Sequence, residues 1–278
     1  MTTQATPAPP TSGGPTAGGS PAIVVYAQRE RARALVRAAF PRRRARVILT
    51  KSREDFEVAF KQNLVDAALV DIGGAHEETW RVAALAREFP SAPFFGLAAL
   101  RSAVGPALAQ CAMYEFADVL VDAVDDAAAR KIVWRESFSA RFARALDTPP
   151  RALSLDNPMQ RDAWRFIVSH AGRPVRTSAL AHALRVTREH LSRSFSAGGS
   201  PNLKRIIDLV RIIASAELAK NPGYDLRDVA NILDFASSSH LSSTTLRVVG
   251  SKPASLTRLR TVDLIERFVK GHGRSRGS

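Results

Sequence analysis

The chain has a single cysteine, Cys111, which excludes a disulfide framework and a four-cysteine zinc site. Uninterrupted apolar runs end after a handful of residues, far short of the roughly 18–20 that a membrane-crossing helix needs, so a membrane span is excluded. A Gly-x-Ser-x-Gly elbow is absent, and no phosphate-loop pattern follows Gly73-Gly74, which therefore reads as a turn. Histidines and aspartates are scattered without metal-ligand spacing. No catalytic residue, metal or cofactor is expected, and the chain is read as a non-enzyme. Cys111 lies in an apolar helical stretch and is expected in the core rather than as a redox switch. The opening residues have neither the basic start nor the apolar stretch of a signal peptide, so the expected location is the cytoplasm.

Acidic residues are also in short supply. Lys and Arg number 40 against 26 Asp and Glu, a net charge of +14, which points to a polyanionic partner. The excess is uneven: residues 1–146 carry a net +4 and residues 147–278 a net +10. Contact with nucleic acid is expected in the second part. The run Arg42-Arg43-Arg44 with Arg46 reads as a solvated edge, with a phosphate contact as the other reading.

Residues 1–20 are Pro, Gly, Thr, Ser and Ala with almost nothing to bury, and they predict a disordered tail. From Ala22 onward, short apolar runs alternate with amphipathic stretches. Strands are expected at 22–26, 46–49, 67–72, 94–97 and 119–121, with helices between them. These include a helix from Trp80 to Phe89 and one long final helix from Asp125 to about Ala145. Ser52 is placed to cap a helix that begins with Glu54 and Asp55. Such alternation implies a parallel sheet covered on both faces.

Asp147-Thr-Pro-Pro-Arg breaks this pattern, and no strand signal follows it. Helices are expected over 162–171, 178–184, 187–196, 226–233, 237–248 and 261–270. A long one opens at Ser200-Pro201, with Leu203, Ile206, Ile207, Val210, Ala214 and Leu218 in one stripe. Two short helix–turn–helix patterns result, whose second helices start 50 residues apart. Held on one face of a duplex, they would enter major grooves ~34 Å apart.

The stretch from Thr177 to Arg260 resembles the AraC/XylS family of transcription regulators. The likeness rests on Leu191-Ser192-Arg193-Ser194-Phe195, the Arg211 helix, Val229-Ala230 before Asp234-Phe235, and Gly250 before Lys252-Pro253. It covers about a third of the chain. The resemblance implies that the first recognition helix reads bases, at Arg188, Glu189, Ser192 and Arg193. A guanidinium such as that of Arg193 pairs bidentately with guanine, worth ~1–3 kcal/mol of discrimination. Glu189 reads either as an acceptor from cytosine or as a carboxylate favoured by the helix N-terminus. His190 reads first as a side chain packed on a neighbouring helix, with a flanking DNA contact as the other reading. Leu191 and Phe195 are expected in the core.

The second recognition helix departs from the family pattern. Asp234 stands where a Gly is usual, although Asp tolerates the left-handed conformation that the turn needs. Leu241 and Thr245 replace two aromatics, and Ser243 replaces an Arg. Ser238, Ser239, His240 and Ser243 remain for phosphate or versatile base contacts, with Arg247 and Lys252 as phosphate contacts or solvated charges. The resulting expectation is an asymmetric site with one well-defined and one degenerate half.

The strand–helix alternation from Ala22 to Leu146 resembles the receiver domain of response regulators. Asp71, ending the third strand, matches the phosphoacceptor position. The metal-holding acids after the first strand are replaced by Tyr26 and Ala27, the Ser/Thr by Ala98, and the Lys by Asp122. Three departures against one match imply a degenerate receiver that dimerises, binds a protein or senses a small molecule. The other reading of Asp71 is a helix cap or turn residue.

The expected architecture is thus an α/β receiver- or flavodoxin-like domain with a five-stranded parallel sheet, followed by an all-α domain with two helix–turn–helix units. The expected boundaries are a tail over 1–20, the receiver-like domain over 21–146, a linker over 147–156 and the AraC-type domain over 157–262. Residues 263–278 hold the last helix end and tail. The expected function is a sequence-specific transcription regulator that binds double-stranded DNA. A homodimer through the N-terminal domain and a contact with RNA polymerase are the further partners. Two alternatives stand beside it: a response regulator driven by phosphorylation of Asp71, and a protein–protein adaptor that no longer reads DNA.

Overall fold

The computed structural model describes residues 20–99, 105–196 and 200–274. The β-branched and apolar runs form five strands: β1 (Ala22–Tyr26), β2 (Arg46–Thr50), β3 (Val65–Asp71), β4 (Phe94–Ala98) and β5 (Asp118–Val121). All neighbours pair in parallel, in the order β2-β1-β3-β4-β5. This is the doubly wound, flavodoxin-like order shared by receivers, in which the chain reverses direction between β1 and β3.

The connecting helices are α1 (Glu30–Ala39), α2 (Arg53–Gln62), α3 (Glu77–Ala83), α4 (Gly105–Met113) and α5 (Ala129–Glu136). Successive strand residues point to opposite faces, so the sheet feeds two cores. One holds Val24, Tyr26, Phe56, Phe60, Val70 and Phe94; the other holds Ile23, Val25, Leu35, Leu69, Phe95 and Leu97. Ser52 caps α2 as expected, accepting from the Asp55 amide at 3.1 Å. Arg42, Arg43, Arg44 and Arg46 are exposed.

Two helices differ from expectation. The helix expected from Trp80 begins earlier, at Glu77, because His76 and Thr79 exchange hydrogen bonds at its start; it then tightens into a 3₁₀ turn over Ala84–Arg87. The long helix expected over 125–145 breaks at Ser137. The Ser137 hydroxyl donates to the Trp134 carbonyl at 2.9 Å and accepts from the Ala140 amide at 3.3 Å. This local hydrogen bonding offers the backbone an alternative to continuing the helix. A separate helix α6 (Phe138–Ala145) results.

The remaining helices are α7 (Pro158–Ser169), α8 (Thr177–Ala183), α9 (Arg188–Ser196), α10 (Leu203–Ala219), α11 (Leu226–Ile232), α12 (Ser238–Val249) and α13 (Thr261–Arg274). Here α7 begins four residues before the expected start, because Asn157 and Gln160 form a capping box with Pro158 in the first turn. The long α10 begins after Pro201, not at it, because the Asn202 side chain caps it by accepting from the Arg205 amide at 2.9 Å. Its apolar stripe is buried among Trp164, Leu191, Phe195, Leu241 and Phe268. Phe138, Phe142 and Leu146 belong to this same cluster, so the helical core reaches back along α6.

Sheet and helical halves are knit along one seam. The Gly223 amide donates to the Glu88 carbonyl at 3.0 Å, and the Ser91 amide donates to Asn221 Oδ1 at 2.9 Å. The Tyr224 ring lies 4.9 Å from that of Phe89. Arg173 reaches the fully buried Asp66 at 3.3 Å. A side chain at Gly223 would meet the Phe89 ring at 2.5 Å, so only glycine lets the two strips approach. Among the described residues, no helix is long and apolar enough to cross a membrane.

Candidate nucleic-acid interface and the carboxylate site of the sheet

In the first helix–turn–helix, Arg185 takes a left-handed φ of 56° between α8 and α9. The Thr187 hydroxyl then accepts from the His190 amide at 3.1 Å and starts α9. Leu191 and Phe195 are fully buried, which anchors one face of the helix. Glu189 and Arg193 lie on the opposite face, and Arg188, at the helix start, and Ser192, on the flank, are exposed with them. His190 is exposed as well, and does not pack on a neighbouring helix as its first reading expected. The reason is spacing: it falls on the face opposite Leu191 and Phe195. The Glu189 carboxyl is held below the ordinary range by its own backbone amide, with further help from Thr187 and from the positive charges of Arg188 and Arg193.

The exposed face of α9 lines a groove of ≈ 960 Å³. Five cations gather there: Arg188 and Arg193 from α9, Lys204 and Arg205 from the first turn of α10, and Arg247 from α12; Glu189 is the one acid. Burial and the nearby charge of Arg247 lower the pKa of Arg205. Lys204 and Arg205 were not among the expected contacts, because their approach to α9 depends on how α10 docks. A cue was present in the two adjacent cations beside the start of a helix.

In the second helix–turn–helix, Asp234 has the left-handed φ of 52° that the turn requires. Arg211 clamps this turn from α10: its guanidinium donates to the Leu233 and Asp234 carbonyls at 2.9 and 3.2 Å and lies 3.8 Å from the Phe235 ring centroid. Leu241 and Thr245 are buried, so they serve the core. Ser239, His240, Ser243 and Lys252 are exposed, and Ser238 is half-buried. The Ser242 and Ser243 hydroxyls turn back onto helix carbonyls, at 2.8 and 3.1 Å. Arg247 is paired with Asp208 at 3.0 Å and so is not a free surface charge.

The sheet carries a second, closed site at the reversal between β1 and β3, where doubly wound folds bind ligands. Asp71 is 2% exposed. One carboxylate oxygen accepts from the Gln28 and Arg29 amides at 3.2 and 2.8 Å; the other accepts from Arg29 Nε at 2.7 Å and the Gly73 amide at 3.2 Å. Arg29 also pairs with Asp122 at 2.5 Å and donates to the Leu97 carbonyl at 3.1 Å. Desolvation opposes the charge of Arg29, but its bonds to Asp71 and Asp122 outweigh that effect and raise its pKa. A Cβ at Gly73 would lie 2.3 Å from the guanidinium carbon, so Gly73 makes the room for it.

Asp71 is therefore the inner carboxylate of an ion triad, and its bond to the Gly73 amide two residues on also makes it the turn residue of its other reading. Asp122, which stands where a receiver has its lysine, is the second anchor for Arg29. Among the described residues, no three metal-ligating side chains cluster. Cys111 is buried, and burial pushes its thiol up to about 11.

No protein-family model matches the chain, and no curated protein matches it. Among solved structures it is similar to full-length FixJ from B. japonicum, at 12% identity and a TM-score of 0.36, over 72% of this chain and 97% of that one.

Proposed function

We propose that the chain is a sequence-specific DNA-binding transcription regulator whose receiver-like half works without phosphorylation. The observation that carries this reading is the five-cation groove beside the exposed face of α9. We assign base reading to Arg193, with Arg188, Glu189 and Ser192 beside it. Lys204 and Arg205 join Arg247 and Lys252 as phosphate contacts. Ser238, Ser239, His240 and Ser243 supply the weaker second half-site, since their hydroxyls and ring offer no fixed positive fork. Residues 21–146 form the regulatory half and 157–262 the DNA-binding half under this reading, with the linker over 147–156 between them. Double-stranded DNA is the partner; a homodimer, a polymerase contact and a cytoplasmic, non-enzymatic role belong to the same proposal.

Sequencing of genomic fragments captured by the purified protein tests it. The expected result is an enriched motif with one information-rich half. Arg193→Ala should relax a single position in that half and weaken binding by ~1–3 kcal/mol, roughly 5- to 150-fold. Log affinity should fall linearly with log salt, with a slope of about −3 to −4 if Lys204, Arg205, Arg247 and Lys252 each neutralise a phosphate. Equal information in both halves would refute the asymmetry. No enrichment at moderate salt would favour the adaptor reading, which the lack of a fixed fork among Ser238, Ser239, His240 and Ser243 motivates.

Arg29 argues against a phosphorylation-driven regulator, because its guanidinium already occupies one Asp71 oxygen and its backbone amide, with that of Gln28, holds the other, so both oxygens that a phosphoryl donor would approach are engaged. Incubation with acetyl phosphate and Mg²⁺, followed by intact-mass measurement, should show no covalent phosphate. A stoichiometric gain of one phosphoryl group would overturn the non-phosphorylated reading.

A further inference from the structure

A cleft of ≈ 500 Å³ opens at the seam, where three parts of the chain meet. Pro90 and Ser91 come from the sheet half, Phe138, Arg141 and Phe142 from the connecting helix α6 with Leu146 just past its end, and Ile213 and Glu217 from α10 with Lys220 just past its end. Its volume falls in the range of small-molecule sites, and such sites favour interfaces between structural units. The walls are mostly apolar, with two phenyl rings and two branched aliphatic side chains. Glu217 and Lys220 pair with each other at 2.7 Å, which leaves Arg141 as the uncompensated charge of the lining.

Arg141 has an unusual environment. One terminal nitrogen donates to the Ser91 carbonyl, but Nε is shut off from solvent with no partner. Two other arginines drawn into this molecule, Arg29 and Arg173, each hold a buried carboxylate. Arg141 has no carboxylate within ion-pair distance among the described residues. Its burial lowers its pKa, with Glu136 acting only at longer range. A guanidinium presents five N–H donors in a planar fork, matched to a carboxylate.

We propose that this cleft is a binding site for a small monocarboxylic acid with an aromatic or branched apolar body, its carboxylate on Arg141 and its body against the outer edges of Phe138, Phe142 and Leu146. A monoanion balances the single net charge of the lining, and the volume excludes a polymer. The bound acid would touch both halves of the molecule, including α10, which joins the two helix–turn–helix units. Binding would therefore favour one arrangement of the seam over others. The site stands independently of whether the protein reads DNA.

Titration of the full chain with 2-naphthoate, 4-phenylbutyrate and octanoate, followed by calorimetry, tests the proposal. At least one acid should bind saturably, one to one, with a Kd of ~10 μM to 1 mM. The uncharged 2-naphthamide should bind at least ~10-fold more weakly than 2-naphthoate. Arg141→Gln should abolish that preference. Ala145→Trp, at an exposed lining position, should block the cleft and remove binding while leaving the core untouched, which keeps the test decisive if Arg141→Gln folds poorly. Equal affinity for acid and amide would overturn the proposal. So would unchanged binding in Ala145→Trp, or no saturation by any of the three acids up to about 5 mM.

Discussion

Arg29→Met should lower folding stability by about 3–5 kcal/mol in urea melts. The guanidinium sits between Asp71 and Asp122, and it accounts for two of the donors on Asp71 besides its own amide. Methionine keeps most of the side-chain volume but removes the charge, leaving two carboxylates in a shielded site without their cation. Breaking a buried pair from one side is costly because the remaining charge stays desolvated. Asp122 Oδ1 already lacks a partner, so little spare hydrogen bonding exists to absorb the change. Adding Asp71→Asn and Asp122→Asn to Arg29→Met should recover part of the loss, since both unpaired charges disappear. A cost below about 1 kcal/mol for Arg29→Met would mean that water replaces the guanidinium and that the site opens easily.

Trp164→Ala should cost about 3–5 kcal/mol, measured the same way. Trp164 is completely buried in the helical core, and its indole N–H donates to the Leu146 carbonyl at 2.6 Å, at the end of α6. Alanine removes the packing of a large ring and strands that carbonyl. Trp164→Phe separates the two effects: it keeps most of the ring and should cost about 1–3 kcal/mol from the orphaned acceptor and the smaller ring. Because α6 also lines the Arg141 cleft, loosening its end should weaken acid binding alongside stability. If Trp164→Ala melts within about 1 kcal/mol of the parent, the core about α7 relaxes far more than its burial implies.

The candidate interface was legible where it depends on helical period. Leu191 and Phe195 are four apart, so burying both turns Glu189 and Arg193 outward, whereas Arg188 is exposed as the first residue of the helix. The left-handed turn at Asp234 was legible from the tolerance of Asp for that conformation. Other site features depend on long-range docking. Arg29 stands between Gln28 and Glu30 and reads as one more surface arginine. Its carboxylates lie 42 and 93 residues away, and no local periodicity brings them together. Lys204, Arg205 and Arg247 share a groove with α9 only because α10 and α12 dock beside it. The break at Ser137 was missed for the opposite reason: a local serine hydrogen bond overrode a continuous helical pattern.

By itself the sequence determined the parallel α/β class of the first part, the all-helical character of the second, the basic excess of the second part and the exposed face of α9. These follow from short-range patterns of apolar residues and charge, which every local conformation must respect. Tertiary structure alone decided the order of the strands, the Arg29 triad, the five-cation groove and the cleft at Arg141. Each of these depends on side chains far apart in the chain converging, and convergence is set by how whole elements pack rather than by the residues beside them.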